Sequence, residues 1–135
     1  MKLILILLIV TGVAGALIYV RFAPHDVAEW HQMPAAVTNR DFSAGAMRVV
    51  GGDGLERLNE IILATPRTEV LAGSVEEGMI TYVTRSAVLG FPDYTTIRLA
   101  GPQIEIIGRL RFGRSDLGVN AARIDRWIGA LAEGG

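Results

Sequence analysis

The chain has 135 residues, half of them hydrophobic, with a formal net charge of −1 and no cysteine. That length holds one domain, the near-neutral charge argues against a nucleic-acid binder, and the missing thiols exclude disulfides, thiol catalysis and cysteinyl metal sites. Of the 13 basic residues all but Lys2 are arginine, a bias that a GC-rich genome produces without any functional demand.

Residues 3–20 (LILILLIVTGVAGALIYV) are uncharged and lie between Lys2 and Arg21. As a helix at ~1.5 Å per residue they cover roughly 27 Å, close to the ~30 Å hydrocarbon core of a bilayer. A cleaved signal peptide is the competing reading, with Ala14-Gly15-Ala16 as its small-x-small site. Cleavage there would leave Leu17, Ile18, Tyr19 and Val20 exposed at a new N-terminus, and the apolar run passes straight through the site. An uncleaved transmembrane anchor is therefore expected. Lys2 and the terminal amine stand against Arg21 alone, which by the positive-inside rule puts the domain outside, in the periplasm at a bacterial inner membrane. Gly12 and Ala16 form a small-xxx-small pair of the kind common in membrane spans.

Residues 21–38 carry Pro24, Pro34, both histidines and Trp30, and read as an extended juxtamembrane segment. Trp30 fits two places equally: the headgroup layer, or a cap on the domain's core. The folded domain is expected over residues 39–132. Residues 46–50 predict a short strand, closed by Gly51-Gly52-Asp53-Gly54. Leu55, Leu58 and Ile62 recur at helical spacing until Thr65, where Pro66 stops the helix. Strands follow over 67–74 and 79–88, the second alternating Ile80 and Tyr82 against Thr81 and Val83. Gly90-Phe91-Pro92-Asp93 is a turn signal, and 94–100 with 103–112 predict a hairpin about Gly101-Pro102. A last helix over 120–132 lines up Ile124, Trp127, Ile128 and Leu131. The order β-α-β-β-β-β-α predicts an α+β fold: an antiparallel sheet of four to five strands with two helices packed on one face, preceded by one transmembrane helix.

Charge is divided along the domain. Residues 53–77 hold six acids against two arginines, and residues 98–126 six arginines against three acids. Arg109 and Arg111 are two apart and share a strand face, with Arg114 just beyond. Their planar forks suit a phosphate, a carboxylate or an anionic headgroup; the alternative is a solvated face neutralised by Glu105 and the acidic half. The segment ahead of the last helix admits an anion on free backbone N–H groups, or capping by Asp116, Ser115 or Asn120 with Gly118 at positive φ. Capping is the default. Catalysis has little support: Ser86 and Ser115 need a base, and His25 and His31 lie near the membrane. His25 with Asp26, and His31 with Glu29, are ligand-type pairs without a third member, so no metal is expected. No phosphate-loop or dinucleotide fingerprint is present, and no cofactor is expected.

Two stretches carry a resemblance: Thr84-Arg85-Ser86 with Gly90-Phe91-Pro92-Asp93, and Gly113-Arg114-Ser115-Asp116-Leu117-Gly118-Val119-Asn120 with Arg123-Ile124. In that order they resemble the domain of unknown function 1499 family of bacterial and plant proteins, over roughly residues 29–130. Trp30-His31 with Pro34 is similar to the lead-in of its proteobacterial members. The family's Arg-Ser-x-Ser-Arg strand is here Ile107-Gly108-Arg109-Leu110-Arg111, which keeps the last arginine and loses both serines, and Tyr94 replaces the second acid of Phe-Pro-Asp-Asp. The resemblance implies a fold but no activity, substrate or cofactor. It singles out Arg85, Ser86, Asp93, Arg111, Arg114, Ser115, Asp116 and Asn120 as a candidate anion or partner site, expected to converge at one edge of the sheet. Asp93 or Asp116 would then clamp Arg85 to Arg111. Three functions follow in order: a non-enzymatic, membrane-tethered interaction or assembly module serving a membrane protein complex; an anion or lipid-headgroup binder using the arginines; and, last, a hydrolase centred on Ser86 or Ser115.

Overall fold

The structure is a computed structural model that describes residues 1–134. Helix α1 (Lys2–Phe22) contains the apolar run and leaves almost every large side chain exposed. It is the one helix among the described residues long and apolar enough to cross a membrane, a property shared by membrane anchors and signal sequences. Its end is tied down: Val20 and Ala23 are buried against the domain.

A short helix α2 (Val27–Trp30) follows, its N-terminus capped by Asp26, whose carboxylate accepts the Ala28 and Glu29 N–H groups. The sheet then forms from β1 (Arg40–Phe42), β2 (Gly45–Gly51), β3 (Thr68–Ser74), β4 (Met79–Arg85), β5 (Pro92–Ala100) and β6 (Gln103–Leu110). All six strands are antiparallel in the order β1-β2-β6-β5-β4-β3. Helices α3 (Leu55–Leu63) and α4 (Val119–Gly134) pack together on one face. The core there joins Leu55, Leu58 and Ile62 of α3 and Ile124 and Trp127 of α4 to Ile80, Tyr82, Ile97, Ile104 and Ile106 of the sheet. Apolar spacing of three and four builds the helix stripes, and alternation of two supplies the sheet face they cover.

The α+β class, the antiparallel sheet and the two helices on one face are as expected, but the sheet has six strands rather than four to five. The added strand is β1, three residues long and joined to β2 across Ser43-Ala44; so short a segment carries no readable alternation. The strand expected over 79–88 ends at Arg85, because Ser86 and Phe91 bond to each other and close a loop. The β5–β6 hairpin turns where expected: Ala100 pairs with Gln103, and Gly101 takes a φ of +58°. Gly-first is what a two-residue loop of the II′ kind requires.

The face of the sheet away from the helices is covered too. Strand β4 buries five consecutive residues, Thr81 and Val83 on one side and Ile80, Tyr82 and Thr84 on the other. Residues 20–34 supply the third layer, laid across β4, β5 and β6 with Trp30 at its centre.

Candidate functional site

The third layer is held by stacking and by a closed set of hydrogen bonds. The Trp30 indole lies flat on the Tyr94 ring, centroids 4.1 Å apart and planes at 14°. Over Trp30 sits the Arg109 guanidinium, 5.0 Å from its centroid, and Arg109 Nη2 donates to the Trp30 carbonyl at 2.9 Å. Such a cation over an indole is attractive in proportion to its desolvation. Burial pulls the Arg109 pKa below its ordinary value.

Beneath, a chain of hydroxyls runs across two strands. Thr96 donates to the Trp30 carbonyl at 3.2 Å, which commits its proton. Its contact with Thr81 at 2.8 Å must then be a donation from Thr81, and the contact between Thr81 and His31 Nδ1 at 2.7 Å a donation from His31. The order of donors thus fixes the Nδ1–H tautomer of His31. Gly73 of β3 makes room for this ring: it has φ +84°, and a Cβ there would stand 2.9 Å from His31 Cε1.

His25 is fixed in the same way. Arg85 has only N–H groups to offer, so its Nη2 donates to His25 Nε2 at 3.2 Å, and the neutral ring carries its proton on Nδ1, 2.5 Å from the Tyr94 hydroxyl. Arg111 Nη1 donates to that hydroxyl at 3.1 Å. Burial first, then the Arg85 and Arg111 charges, hold the His25 pKa below 6.5. Arg85 also donates from Nη1 to the Gly90 carbonyl at 2.8 Å and to the Val20 carbonyl at 3.5 Å. One guanidinium therefore joins the end of α1, the lead-in and the β4–β5 loop.

A separate network lies on the helix face. Arg123 of α4 donates to Asp93 Oδ2 and to Asn120 Oδ1, each at 3.1 Å. Asn120 in turn donates its backbone and side-chain N–H to Asp116 Oδ2 at 2.9 and 3.0 Å, and Gly118 N–H binds Asp116 Oδ1 at 2.9 Å. Burial pushes the Asp93 carboxyl up against the opposing pull of Arg123. For Asp116 burial acts upward as well, but the bonds from Asn120 and Gly118 outweigh it and the net shift is down. Its carboxylate occupies the donors at the start of α4 that an anion would use, and Gly118 takes φ +80° as the capping alternative expects.

The candidate residues thus share one end of the sheet but not one site. Arg85 and Arg111 point to the lead-in face, where Tyr94 and His25 join them. Asp93, Asp116 and Asn120 point to the helix face, where Arg123 joins them. The expected clamp of Arg85 and Arg111 by Asp93 or Asp116 is not formed, because Asp93 and Tyr94 are adjacent on β5 and face opposite sides. Ser86 Oγ accepts the Phe91 N–H at 2.9 Å and Ser115 Oγ the Leu117 N–H at 3.2 Å, so both serines close turns. The Arg114 carbonyl accepts from Ser43, while its side chain is exposed. Glu105 pairs with Arg98, its cross-strand partner, and leaves Arg109 to Trp30. Among the described residues no group of three or more His, Asp or Glu side chains is placed to hold a metal.

The chain matches the family model described as Protein of unknown function (DUF1499) over residues 28–131. The chain belongs to this family. The matched region begins inside α2, so in this DUF1499 chain the Trp30 and His31 layer falls within the family's span. No curated protein and no solved structure matches the chain.

Sequence reasoning missed His25, Tyr94 and Arg123 as parts of the two networks, while Trp30 takes the second of the two places it admitted, a cap over the sheet. Arg109 carried a signal, since a strand arginine two residues from another has to face the same side. The partner it meets lies 79 positions away.

Proposed function

We propose that this DUF1499 chain is a non-enzymatic module, tethered by α1 in a bacterial inner membrane with its domain on the periplasmic side, that presents a fixed face to a membrane protein partner. The observation that carries this is the way the tether is mounted. A span that only restricts diffusion needs a flexible joint, whereas here Arg85, His25, Trp30 and the buried Val20 lock the helix end and lead-in to the sheet. Fixed orientation at a bilayer raises the effective concentration of one surface toward membrane neighbours.

The face that fits is the groove between α3 and β3, about 420 Å³, with Leu63 and Val70 on its apolar side and Glu56, Glu60 and Glu76 around it. A basic amphipathic segment matches its shape and charge. Photocrosslinkers at Leu63 and Val70 in native membranes test this. A discrete adduct that disappears in a Glu56→Lys/Glu60→Lys variant supports the reading, and folded protein without an adduct overturns it. Intact mass and an alkaline membrane wash decide the tether itself: a chain starting near Leu17 and released by the wash removes it.

A second reading has its own observation. Arg21, Arg67 and Arg85 line a pocket of about 320 Å³ beside Thr68 and Ser86, a setting for an anion. Of the arginines proposed from sequence for an anion site only Arg85 lines it. Thermal shifts with inorganic phosphate and glycerol phosphate at low salt test it, with Arg67→Ala as the variant that should abolish the shift.

A further inference from the structure

The end of the sheet beside α1 exposes apolar side chains that the domain does not use. In the β4–β5 loop Val88 is 87% exposed, Leu89 45% and Phe91 36%. In the β6–α4 loop Leu117 is 91% exposed and held at φ +53°, a conformation unfavourable for a residue with a Cβ. Exposed apolar groups gathered at one end mark a surface that something covers.

The contacts with α1 say what. Val88 and Leu89 border a pocket with Leu17, Ile18, Arg21 and Phe22. Gly90, at φ +74°, lies under Arg21: a Cβ there would stand 2.7 Å from Arg21 Nη1. In the second loop the Phe112 ring meets the Tyr19 ring edge-on at 6.1 Å. These loops therefore do not stop short of the apolar run; they lie alongside its last turn. At ~1.5 Å per residue Leu17 sits roughly 4.5 Å inside Val20, the last residue of the run. If residues 3–20 fill the hydrocarbon, a loop touching Leu17 has passed the phosphate level.

We propose that the β4–β5 loop, flanked by Phe112 and Leu117 of the β6–α4 loop, seats in the leaflet from which α1 emerges, so that the domain is docked on the bilayer and not merely tied to it. This rests on the reading of α1 as an uncleaved anchor. Arg21 and Arg67 stand at the level of the phosphates, and Arg114 extends from the second loop, which favours an anionic leaflet. Aliphatic tips below a ring of arginines match the layering of a bilayer: hydrocarbon, then phosphate.

The absence of cysteine makes the test direct. Single Val88→Cys, Leu117→Cys and Glu77→Cys variants of the full chain take a nitroxide label, Glu77 lying in the β3–β4 turn at the opposite end of the sheet. Each is reconstituted into vesicles of phosphatidylcholine with phosphatidylglycerol, and collision with oxygen is compared with collision with a water-soluble nickel chelate. The proposal expects the label at Val88 to be several-fold less accessible to the chelate than the label at Glu77, with Leu117 in the headgroup layer. Protein that floats with the vesicles while Val88 is as accessible as Glu77 overturns docking and leaves the anchor standing. Protein that does not float overturns both. An aqueous Leu117 beside an immersed Val88 overturns the part given to the second loop.

Discussion

Trp30→Ala asks whether the lead-in is a structural layer of the domain or a linker resting on it. The side chain is half-buried, so its area contributes less than the ~3–5 kcal/mol of a fully buried tryptophan, about 1.5–2.5 kcal/mol. The parallel stack on Tyr94 adds ~0.5–1.5 kcal/mol. The cation over the ring adds ~0.5–1 kcal/mol, and the Arg109 left behind is half-buried without that partner. These overlap, so the expected loss is about 2–4 kcal/mol. Urea unfolding of the full chain in mild detergent, followed by far-ultraviolet circular dichroism, measures it without relying on the fluorophore removed. A double-mutant cycle with Tyr94→Leu isolates the stack. A loss within ~0.5 kcal/mol, the range of an ordinary surface change, would refute the layer and return residues 21–34 to the status of a linker.

Asp93→Ala leaves Arg123 buried with only Asn120 as partner and is expected to cost about 2–4 kcal/mol. Asp93→Asn keeps an acceptor and relieves the burial that pushes the carboxyl up, so it should cost less; equal urea midpoints for the two would defeat the network. Thr95 Oγ1 is buried without a hydrogen-bond partner among the described residues, so Thr95→Val should be neutral or raise stability by ~1 kcal/mol, read as a higher thermal midpoint. His25 has a folded-state pKa below 6.5, so the unfolded chain takes up its proton first. The stability that neutral His25 contributes is complete above pH 6.5 and is lost as pH falls below it, toward the folded value. The wild-type minus His25→Gln difference in unfolding free energy should therefore shrink between pH 7.5 and 5, with the groups that face the ring being Arg85, Arg111, Tyr94 and, more distantly, Glu69; a flat difference would show that burial and the two arginines do not hold the ring neutral.

Much of the helix side of this fold was open to sequence reading, because each element there obeys one period. Leu55, Leu58 and Ile62 sit three and four apart, as do Ile124, Trp127, Ile128 and Leu131, and Gly101-Pro102 marks its own turn. The other face hid behind the same rules. Thr81 and Thr96 occupy positions that a two-layer fold would give to solvent, and only the lead-in, 50 and 66 residues earlier, turns them into buried donors. A polar residue in alternation reads as outward unless its distant partner is known. The candidate residues met the same obstacle in another form. Sequence placed them at strand ends and turns, where they are, but which face each takes depends on register. Arg85 pairs across with Pro92, so it shares a face with Tyr94 and not with Asp93. One residue of shift separates a salt-bridged site from two independent networks.

The arginines show where such a chain keeps its freedom to interact. Arg48 forks onto Asp125 and reaches Asp41, Arg98 pairs with Glu105, Arg123 with Asp93, Arg109 lies on Trp30, and Arg85 and Arg111 meet at Tyr94 and His25. Most of these are held inward, and a planar five-donor group suits them better than lysine would, since Arg85 alone satisfies two carbonyls and an imidazole. Arg21, Arg67 and Arg114 differ. They have exposed side chains, and all three stand at the end of the sheet where α1 arrives. An arginine-rich composition therefore says little by itself about ligands. Arg40, Arg57 and Arg126 are exposed elsewhere on the domain, so what carries meaning is the subset beside α1, the one helix among the described residues long and apolar enough to enter a membrane, where Val88 and Leu117 are the most exposed apolar side chains of the domain.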